Sequence, residues 1–149
     1  SIPSGVNAYF NNKLDIQNII TRVTGSTISN IDGIIRANGA ANLLFINPNG
    51  ILIGNNGELN IGGSFIASTA NSLDFADGSK FSANSSQPQQ LLTVSVPIGL
   101  QFGTTANSIL LASQASPEGA TNSFGYPVGL QVLHSKTLAF IGGDIILSG

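Results

Sequence analysis

The strongest constraint on this fold is a succession of short apolar segments separated by glycine, asparagine and aspartate. After Val23 the chain reads as strand-length pieces such as NLLFI, GILIG and SFIAST, each bounded by turn-forming residues. Segments of this length at intervals of about 8 to 12 residues are typical of a sandwich, a barrel or a solenoid. Apolar residues alternate along them, so that Ile51 shares a strand face with Ile53, and Phe65 with Ala67. The pattern predicts an all-β protein.

One segment, LDIQNIITRV, fits two kinds of structure. In a helix, Ile16, Ile19 and Ile20 would share one face. However, Ile20 and Thr21 are β-branched, which favours a strand, and Gly25 ends the segment after only about ten residues. We therefore predict a strand here, with a short helix as the alternative.

The scarcity of charge distinguishes among the all-β classes. Only 8% of the 149 residues are charged, against roughly 25% in a typical soluble domain. The outer face of a sandwich commonly carries lysine, glutamate and arginine, whereas the outward positions here are asparagine, serine, glycine and threonine. A parallel β-helix, whose short strands and tight turns stack coil on coil, fits these residues better. We predict about two to three irregular coils of roughly 20 residues each between Ile28 and Phe81.

Composition divides the single predicted domain into three segments. Residues 1–81 are expected to form coils of the solenoid, and 82–129 a loop with extra-helical strands. That second segment begins with the polar, low-complexity stretch Ser82–Gln90. Short strands return afterwards, so the solenoid is expected to resume over 130–149.

The second segment carries its own strand signals. After the polar loop, Leu92, Val94 and Val96 alternate on one face, and Pro97 then indicates an edge strand or a bend. SILLA is a further strand, and SQASPEGATNSFGYP reads as an exposed loop. We interpret Leu92–Ala112 as an excursion from the solenoid.

The same composition excludes several classes of function. The formal net charge is −2 and the five basic residues are scattered, which leaves no basic face for nucleic acid or an anionic membrane. The absence of cysteine excludes a disulfide scaffold and thiolate metal sites. The chain has no apolar run of about 18 residues, the length that a membrane helix needs. It also has no phosphate-binding glycine motif. We therefore expect no cofactor and no metal.

Side chains that commonly carry catalysis are few. His134 lies beside Ser135, but a catalytic triad would also need Asp144 and a nucleophile on a strained turn, and no G-x-S-x-G motif occurs. Asp74 and Asp77 are a candidate carboxylate pair for glycoside cleavage. The DFADGSKF stretch that holds them reads instead as a loop with a turn at the Asp-Gly step. We expect no catalytic residue.

Three motifs in a fixed order point to a known family. R-V-T-G begins at Arg22, N-P-N-G-I spans 47–51, and G-S-F-x-A-S-T begins at Gly63. With the text around them, from IQNIITRVTGS to NIGGSFIASTANSL, they resemble the secretion domain of two-partner secretion exoproteins, the filamentous-haemagglutinin amino-terminal family of Gram-negative bacteria. The resemblance covers Ala8–Gly143. Cyanobacterial members are especially similar, through LLTVSVPIGLQFG and TLAFIGGDI.

The resemblance implies a right-handed parallel β-helix with extra-helical strands and no enzymatic activity. It implies that the domain targets a large exoprotein for secretion. After export to the periplasm, the polypeptide-transport-associated domains of a cognate outer-membrane β-barrel transporter bind it and start translocation. The passenger then folds outside as an adhesin or cytolysin, where it would meet a host surface or glycan. The residues alone leave an alternative, a stand-alone β-helix adhesin or carbohydrate-binding module.

The family motif Asn47-Pro48-Asn49-Gly50, followed by Ile51, is the candidate recognition site. Turn chemistry accounts for Pro48 and Gly50, but less well for two asparagines, since serine or aspartate would serve there. We predict that Asn47 holds a corner of the coil through side-chain hydrogen bonds and also presents that corner to the transporter. The further motif residues, expected at turns or in the core, are Arg22, Gly25, Gly33, Gly39, Gly63, Ser64 and Phe65.

Two features depart from the usual family pattern. Members usually carry several tens of residues before SGVNAYFNN, which form a cap and the first coils, so part of the transporter-binding region is expected upstream. The second family motif, N-P-N-L, is absent from this chain, which indicates the branch of haemolysins and high-molecular-weight adhesins. Within the chain, we expect the edge strand Val6–Phe10 to add to a sheet of the transporter.

Overall fold

The chain passes in turn through three parallel β-sheets and so forms a β-solenoid. The computed structural model describes residues 1–83 and 97–148. The strands are β1 (Asn7–Phe10), β2 (Asn18–Arg22), β3 (Ser29–Ile31), β4 (Ile34–Ala37), β5 (Asn42–Ile46), β6 (Ile51–Ile53), β7 (Glu58–Asn60), β8 (Phe65–Ser68), β9 (Ser72–Phe75), β10 (Lys80–Ser82), β11 (Pro97–Gln101), β12 (Ile109–Leu111), β13 (Leu138–Ile141) and β14 (Ile145–Leu147). A short 3-10 helix spans Pro117–Gly119, and the described residues contain no α-helix.

Stacked coils define the architecture. One sheet has the order β1-β4-β7, the second β13-β8-β5-β2 and the third β14-β12-β6-β3, and all of their strands pair in parallel. Asn18 lies beside Asn42, and Leu43 beside Phe65, so one coil takes 22 to 24 residues. The predicted parallel β-helix is confirmed. Its right-handed sense stays an expectation from the family resemblance.

The segment with two interpretations is a strand. β2 covers NIITR within LDIQNIITRV, and each of its residues pairs with one in β5. Ile19 packs against the interior of the solenoid, whereas its neighbour Ile20 packs against a second apolar cluster outside it. Successive side chains point to opposite faces only in a strand, so the helical alternative is wrong.

A continuous apolar core fills the interior of the solenoid. The alternation is confirmed for Ile51 with Ile53 and for Phe65 with Ala67, because all four point into this core. Phe65 is fully buried, and its ring meets that of Phe140 edge to face with the centroids 6.3 Å apart. The buried members of the core are Ile31, Ile35, Leu43, Ile51, Ile53, Leu59, Ile61, Phe65, Ala67 and Ile109.

A small antiparallel sheet, the extra-helical sheet of β9, β10 and β11, covers one outer face of the solenoid. Its order is β10-β9-β11. Leu73, Phe75 and Phe81 from this sheet cluster with Leu44 and Ile46 of β5. β5 is therefore buried on both faces, which accounts for the unbroken apolar run LLFI at 43–46. The predicted extra-helical strands are confirmed.

The boundaries between the solenoid and the excursion differ from those expected. The excursion begins with β9 at Ser72, whereas composition places the change after 81. β12 lies in the third parallel sheet, although composition assigns Leu92–Ala112 to the excursion. Ile109 of β12 is fully buried and pairs with Ile51 on one side and Ile145 on the other. Stacking of these isoleucines brings the strand back into the solenoid, and no local pattern encodes that contact.

Two expectations fall wholly or mostly outside the described residues. These are the polar loop Ser82–Gln90, apart from its first two residues, and the alternation of Leu92, Val94 and Val96. Pro97 opens β11, which is an edge strand of the extra-helical sheet, as its missing N–H predicts.

The last coil has strands on two of its three sides. β13 stacks on β8, and β14 on β12. On the third side, Leu130 and Val132 pack against the core without forming a strand. The solenoid is expected to resume at residue 130. Residues there pack against the core, but paired strands begin only at Leu138.

Neutral polar side chains connect neighbouring coils where the strands begin. Asn42 Nδ2 donates to Asn18 Oδ1 (2.9 Å), the Ser64 backbone N–H donates to Asn42 Oδ1 (2.8 Å), and the Thr137 N–H donates to Ser64 Oγ (3.0 Å). These hydrogen bonds link four successive coils. Amides and hydroxyls make such links without the cost of removing a charge from water. The abundance of asparagine and serine and the scarcity of charge follow from this role.

Gly63 lies against the backbone of the preceding coil. A Cβ at this position would be 2.3 Å from the Ala41 carbonyl oxygen and 2.6 Å from the Asn42 nitrogen. We expect Gly63→Ala to lower the free energy of unfolding by about 2 kcal/mol, because paired backbone cannot move aside. Gly25→Ala is the control, since nothing lies within 4 Å of its Cβ position. Urea unfolding measures both variants, and equal stabilities would contradict the close approach.

Candidate functional site at the Asn47 corner

The family motif N-P-N-G forms the turn between β5 and β6, which we call the Asn47 corner (residues 47–50). The Gly50 N–H donates to the Asn47 carbonyl (3.2 Å) and closes the turn. Within it, Asn47 Oδ1 accepts a hydrogen bond from the Asn49 N–H (3.0 Å), in the manner of an Asx turn. Asn47 itself is fully buried. The motif is therefore a turn whose first side chain points into the protein.

The Asn47 side chain joins the corner to the preceding coil. Its Nδ2 donates to the Thr27 carbonyl (3.0 Å) and to Ser29 Oγ (2.8 Å). On the other side, the Asn47 N–H donates to the Ser68 carbonyl (2.9 Å) in the following coil. Asparagine is needed because it supplies an acceptor and two donors on one short side chain, whereas serine and aspartate do not. Through these hydrogen bonds the Asn47 side chain links the corner to the preceding coil.

The second asparagine has a similar task. Asn49 Nδ2 donates to the Gly25 carbonyl (2.7 Å) and to Asn47 Oδ1 (2.9 Å). Between the two asparagines, the Pro48 carbonyl accepts a hydrogen bond from Asn107 Nδ2 (2.6 Å). The motif thus contacts the coils on both sides, which turn chemistry alone does not explain.

Glycine is required at position 50 for two reasons: its backbone φ is positive, and a Cβ would lie close to neighbouring atoms. Its φ is +115°, which disfavours any side chain. A Cβ would lie 3.3 Å from Ile28 Cγ2 and 3.4 Å from the Ser108 carbonyl oxygen. The Gly50 carbonyl accepts a hydrogen bond from the Ser29 N–H (3.0 Å), and the next residue, Ile51, is buried in the core. The end of the motif is therefore closed to any partner.

The surface that the corner offers is small. Asn47, Gly50 and Ile51 are buried, whereas Pro48 and Asn49 are half-buried. A bound protein could touch only the latter two without unfolding the corner. The geometry makes the motif chiefly structural, and its recognition by a transporter stays a prediction.

Three residues that were not predicted as site residues, Ser68, Thr69 and Asn107, continue this corner into later coils. Thr69 Oγ1 donates to the Asn107 carbonyl (2.7 Å), and Ser68 Oγ donates to the Ile141 carbonyl (2.8 Å). Ser68 and Thr69 are the last two residues of the G-S-F-x-A-S-T motif, so the motif could have identified them in the sequence. Asn107 follows the excursion in sequence, and only the fold brings it to Pro48.

The other motif residues lie at separate places and form no single site. The Arg22 guanidinium lies over the Phe81 ring, 4.8 Å from its centroid, and donates to the Ser82 carbonyl, so it ties the extra-helical sheet to β2. Gly33 lies against the Val6 carbonyl oxygen, 2.3 Å from its Cβ position, and Gly39 has a φ of +63°. Of the remaining members, Gly25 meets the Asn47 corner through its carbonyl, whereas Gly63, Ser64 and Phe65 lie at the start of β8.

Three of the candidate catalytic side chains, His134, Asp74 and Asp77, contact nearby residues. His134 is exposed, and its Nδ1 makes a hydrogen bond with Ser135 Oγ (2.8 Å). The backbone φ of Ser135 is +65°. Asp74 forms an ion pair with Lys80 (3.6 Å). Asp77 Oδ1 accepts hydrogen bonds from the Ser79 N–H and hydroxyl, as a turn residue does. A local hydrogen bond or ion pair therefore accounts for each of these three side chains.

Metal and membrane sites were sought in the same part of the chain. Over residues 1–83 and 97–148, no three His, Cys, Asp or Glu side chains come together in a way that would hold a metal ion. No helix in these ranges has the length and apolar character needed to cross a membrane. A cavity of about 910 Å³ opens beside β7, where Arg36, Glu58 and His134 are among the lining residues.

Comparison with known proteins identifies the family. The family model described as "TPS secretion domain" matches residues 1–149. No curated protein matches the chain, and no solved structure matches it. TPS domains target the exoproteins of two-partner systems for secretion through the outer membrane, in concert with an outer-membrane transporter. The match extends over the whole sequence and agrees with the β-solenoid described above, and the chain therefore belongs to the TPS secretion domain family.

Proposed function

We propose that the periplasmic, polypeptide-transport-associated domains of a cognate outer-membrane β-barrel bind this domain and so start translocation of the exoprotein. Membership of the TPS family carries this proposal. Localisation follows from it: the domain passes through the periplasm and ends outside the cell or at its surface, and any contact with a host surface or glycan belongs to the passenger.

The edge of β1 that faces away from β4 is the docking surface that we assign to the transporter. Among the described strands, β1 pairs only with β4. The Ile34 N–H donates to the Val6 carbonyl (3.0 Å), so the peptide groups of Asn7 and Tyr9, which alternate with this position, point to the unpaired side. The Tyr9 side chain is 56% exposed. An extended strand of the transporter can therefore add to this edge.

The stacked coils suit a protein that crosses a membrane unfolded. The hydrogen bonds of the Asn47 corner reach from one coil to the next, as from Asn47 to Thr27. A single coil therefore has few stabilising contacts of its own, and stability appears only as coils stack. Folding that propagates from the emerging end would draw the chain outward.

A pair of variants at Tyr9 tests the proposed edge. Tyr9→Pro removes the outward N–H and leaves the hydrogen bonds with β4 in place, whereas Tyr9→Ala keeps the N–H and removes the same side chain. We expect Tyr9→Pro to bind the purified periplasmic domains about 10-fold more weakly than Tyr9→Ala, because about one strand hydrogen bond is lost. Calorimetric titration gives the affinities, and thermal melts confirm that both variants are folded.

The outcomes separate the edge from the wider proposal. Equal affinities of the two Tyr9 variants would exclude β1 as the docking strand. Failure of the unaltered domain to bind the periplasmic domains, together with measurable binding to a glycan, would favour the stand-alone adhesin.

A further inference from the structure

An exposed aromatic pair lies on the loop between β12 and β13. Phe124 is 83% exposed and Tyr126 is 68% exposed, which makes them the two most exposed aromatic side chains of the described residues. By contrast, Phe65, Phe75 and Phe81 are buried in the two apolar clusters. We call Phe124 and Tyr126 the aromatic tip. Two neighbouring large rings left in water, on a chain that at least half-buries six of its eight other aromatic side chains, indicate an interaction surface.

The aromatic tip is held in one conformation by its own loop. Asn122 Oδ1 accepts hydrogen bonds from the Phe124 N–H (2.9 Å) and the Tyr126 N–H (3.1 Å). The Asn122 N–H donates to the Tyr126 carbonyl (2.9 Å), and Gly125, at φ +82°, donates back to the Asn122 carbonyl (3.0 Å). Four hydrogen bonds thus close a five-residue turn. Little conformational entropy is lost when a partner binds such a preorganised turn.

The charge distribution limits what the partner can be. The whole chain has five basic and seven acidic residues, so ion pairs cannot supply much specificity. Residues 112–133 contain no lysine or arginine and a single carboxylate, Glu118. Binding to an anionic membrane surface depends on basic residues near the insertion point, and this segment carries none. A protein with an uncharged, apolar cleft is the complementary partner, because aromatic side chains are the usual anchors of protein interfaces.

A groove beside the tip offers the partner a second point of contact. It has a volume of about 440 Å³ and is lined by Ser113, Gln114, Tyr126, Pro127, Val128 and Gly129. Tyr126 therefore forms both one side of the tip and one wall of the groove. A partner that encloses the rings can place a side chain of its own in this groove.

We propose that the aromatic tip is the anchor by which this domain inserts into an apolar cleft on the periplasmic domains of its transporter. The proposal rests on the proposed function, which names the transporter as the partner, and it is independent of the β1 edge. Because the contact is uncharged, its affinity should change less than about 2-fold between low and high salt.

Titration with the purified periplasmic domains tests the anchor. The double variant Phe124→Ser/Tyr126→Ser should bind at least about 30-fold more weakly than the unaltered domain, as expected when an aromatic anchor is lost. Leu14→Ser is the matched control, since Leu14 is 77% exposed and lies on the first coil; its affinity should be unchanged. Thermal melts should coincide for all three proteins, because none of these side chains is in a core.

Each result decides between the alternatives. If the unaltered domain binds and the double variant binds equally well, the anchor is excluded while the proposed function stands. If the unaltered domain does not bind, the proposed function fails and the anchor fails with it. Sedimentation with vesicles of neutral lipid, and of neutral lipid with one quarter anionic lipid, tests a membrane as the partner. If the double variant binds the vesicles more weakly than the unaltered domain but binds the transporter equally well, the partner of the tip is a membrane and the proposal is wrong.

Discussion

Asn47→Leu is expected to lower the free energy of unfolding by about 3 kcal/mol, although leucine is apolar and similar in size. The change leaves Ser29 Oγ and the Thr27 carbonyl without the Asn47 donor, and the Asn49 N–H without its acceptor. Asn47 is fully buried, so water cannot replace these bonds without opening the corner. Urea unfolding followed by circular dichroism measures the loss.

Two further variants assign the effect to particular atoms. Asn47→Asp keeps Oδ1 for the Asn49 N–H but places a carboxylate against the Thr27 carbonyl, so it should also destabilise the domain strongly. Asn49→Ala alters a half-buried side chain and should cost only about 1 kcal/mol. An Asn47→Leu variant within 0.5 kcal/mol of the unaltered protein would contradict the structural role of the corner, since changes of that size are typical of surface positions.

The same residue separates structure from recognition. Asn47→Ser should lose folding and secretion together, because a hydroxyl replaces only part of the amide's hydrogen bonds. Unchanged folding with lost secretion would instead assign Asn47 a direct role in recognition by the transporter. We expect the joint loss, since the buried side chain is accessible to no partner.

Phe65→Ala is expected to lower the free energy of unfolding by about 3 to 5 kcal/mol. Phe65 is fully buried, and its ring packs edge to face against Phe140 of the next coil. Its backbone also pairs with Leu43 on one side and Leu138 on the other. The side chains around it are held by these strand pairings, so they cannot collapse into the cavity that alanine leaves.

An exposed phenylalanine supplies the control for this prediction. Phe124→Ala removes the same atoms from a ring that is 83% exposed, and it should change stability by less than about 0.5 kcal/mol. Urea unfolding of both variants gives the comparison. A Phe65→Ala variant as stable as Phe124→Ala would show that the interior of the solenoid is not a packed core.

Local pattern predicts much of this fold. Alternation places Ile51 with Ile53 and Phe65 with Ala67 on inward faces, and the β-branched residues of NIITR favour the strand that is found. The scarcity of charge favours a solenoid because corners joined by amides and hydroxyls need no ions. The family resemblance predicts the extra-helical strands, whereas the polar break after Phe81 does not mark where they begin, because β9 starts at Ser72.

Contacts between distant segments could not be predicted in this way. Ile46 and Ile51 flank the same turn and both are buried, yet Ile46 lies under the extra-helical sheet and Ile51 inside the solenoid. The return of β12 to the third sheet depends on Ile109 stacking on Ile51 across the whole excursion. Neither contact produces a periodic pattern in the sequence, because each depends on the length and path of the segment between the two residues.

The candidate site shows the same division. Turn chemistry predicts that N-P-N-G is a corner and that Gly50 is needed there. The partners that explain both asparagines, Thr27 and Gly25, lie one coil earlier, about 20 residues away in the chain. The family resemblance identifies the motif, and only the stacked coils explain its chemistry.

Secretion of a fused passenger is the most direct test of the account. The chain, joined to a signal for export to the periplasm, is fused to a reporter that has no export route of its own. Reporter in the culture medium is measured in Gram-negative cells with the cognate transporter, without it, and with the transporter lacking its periplasmic domains. We expect the reporter in the medium only with the intact transporter. Equal secretion in all three strains would contradict the proposal that the transporter's periplasmic domains recognise this chain.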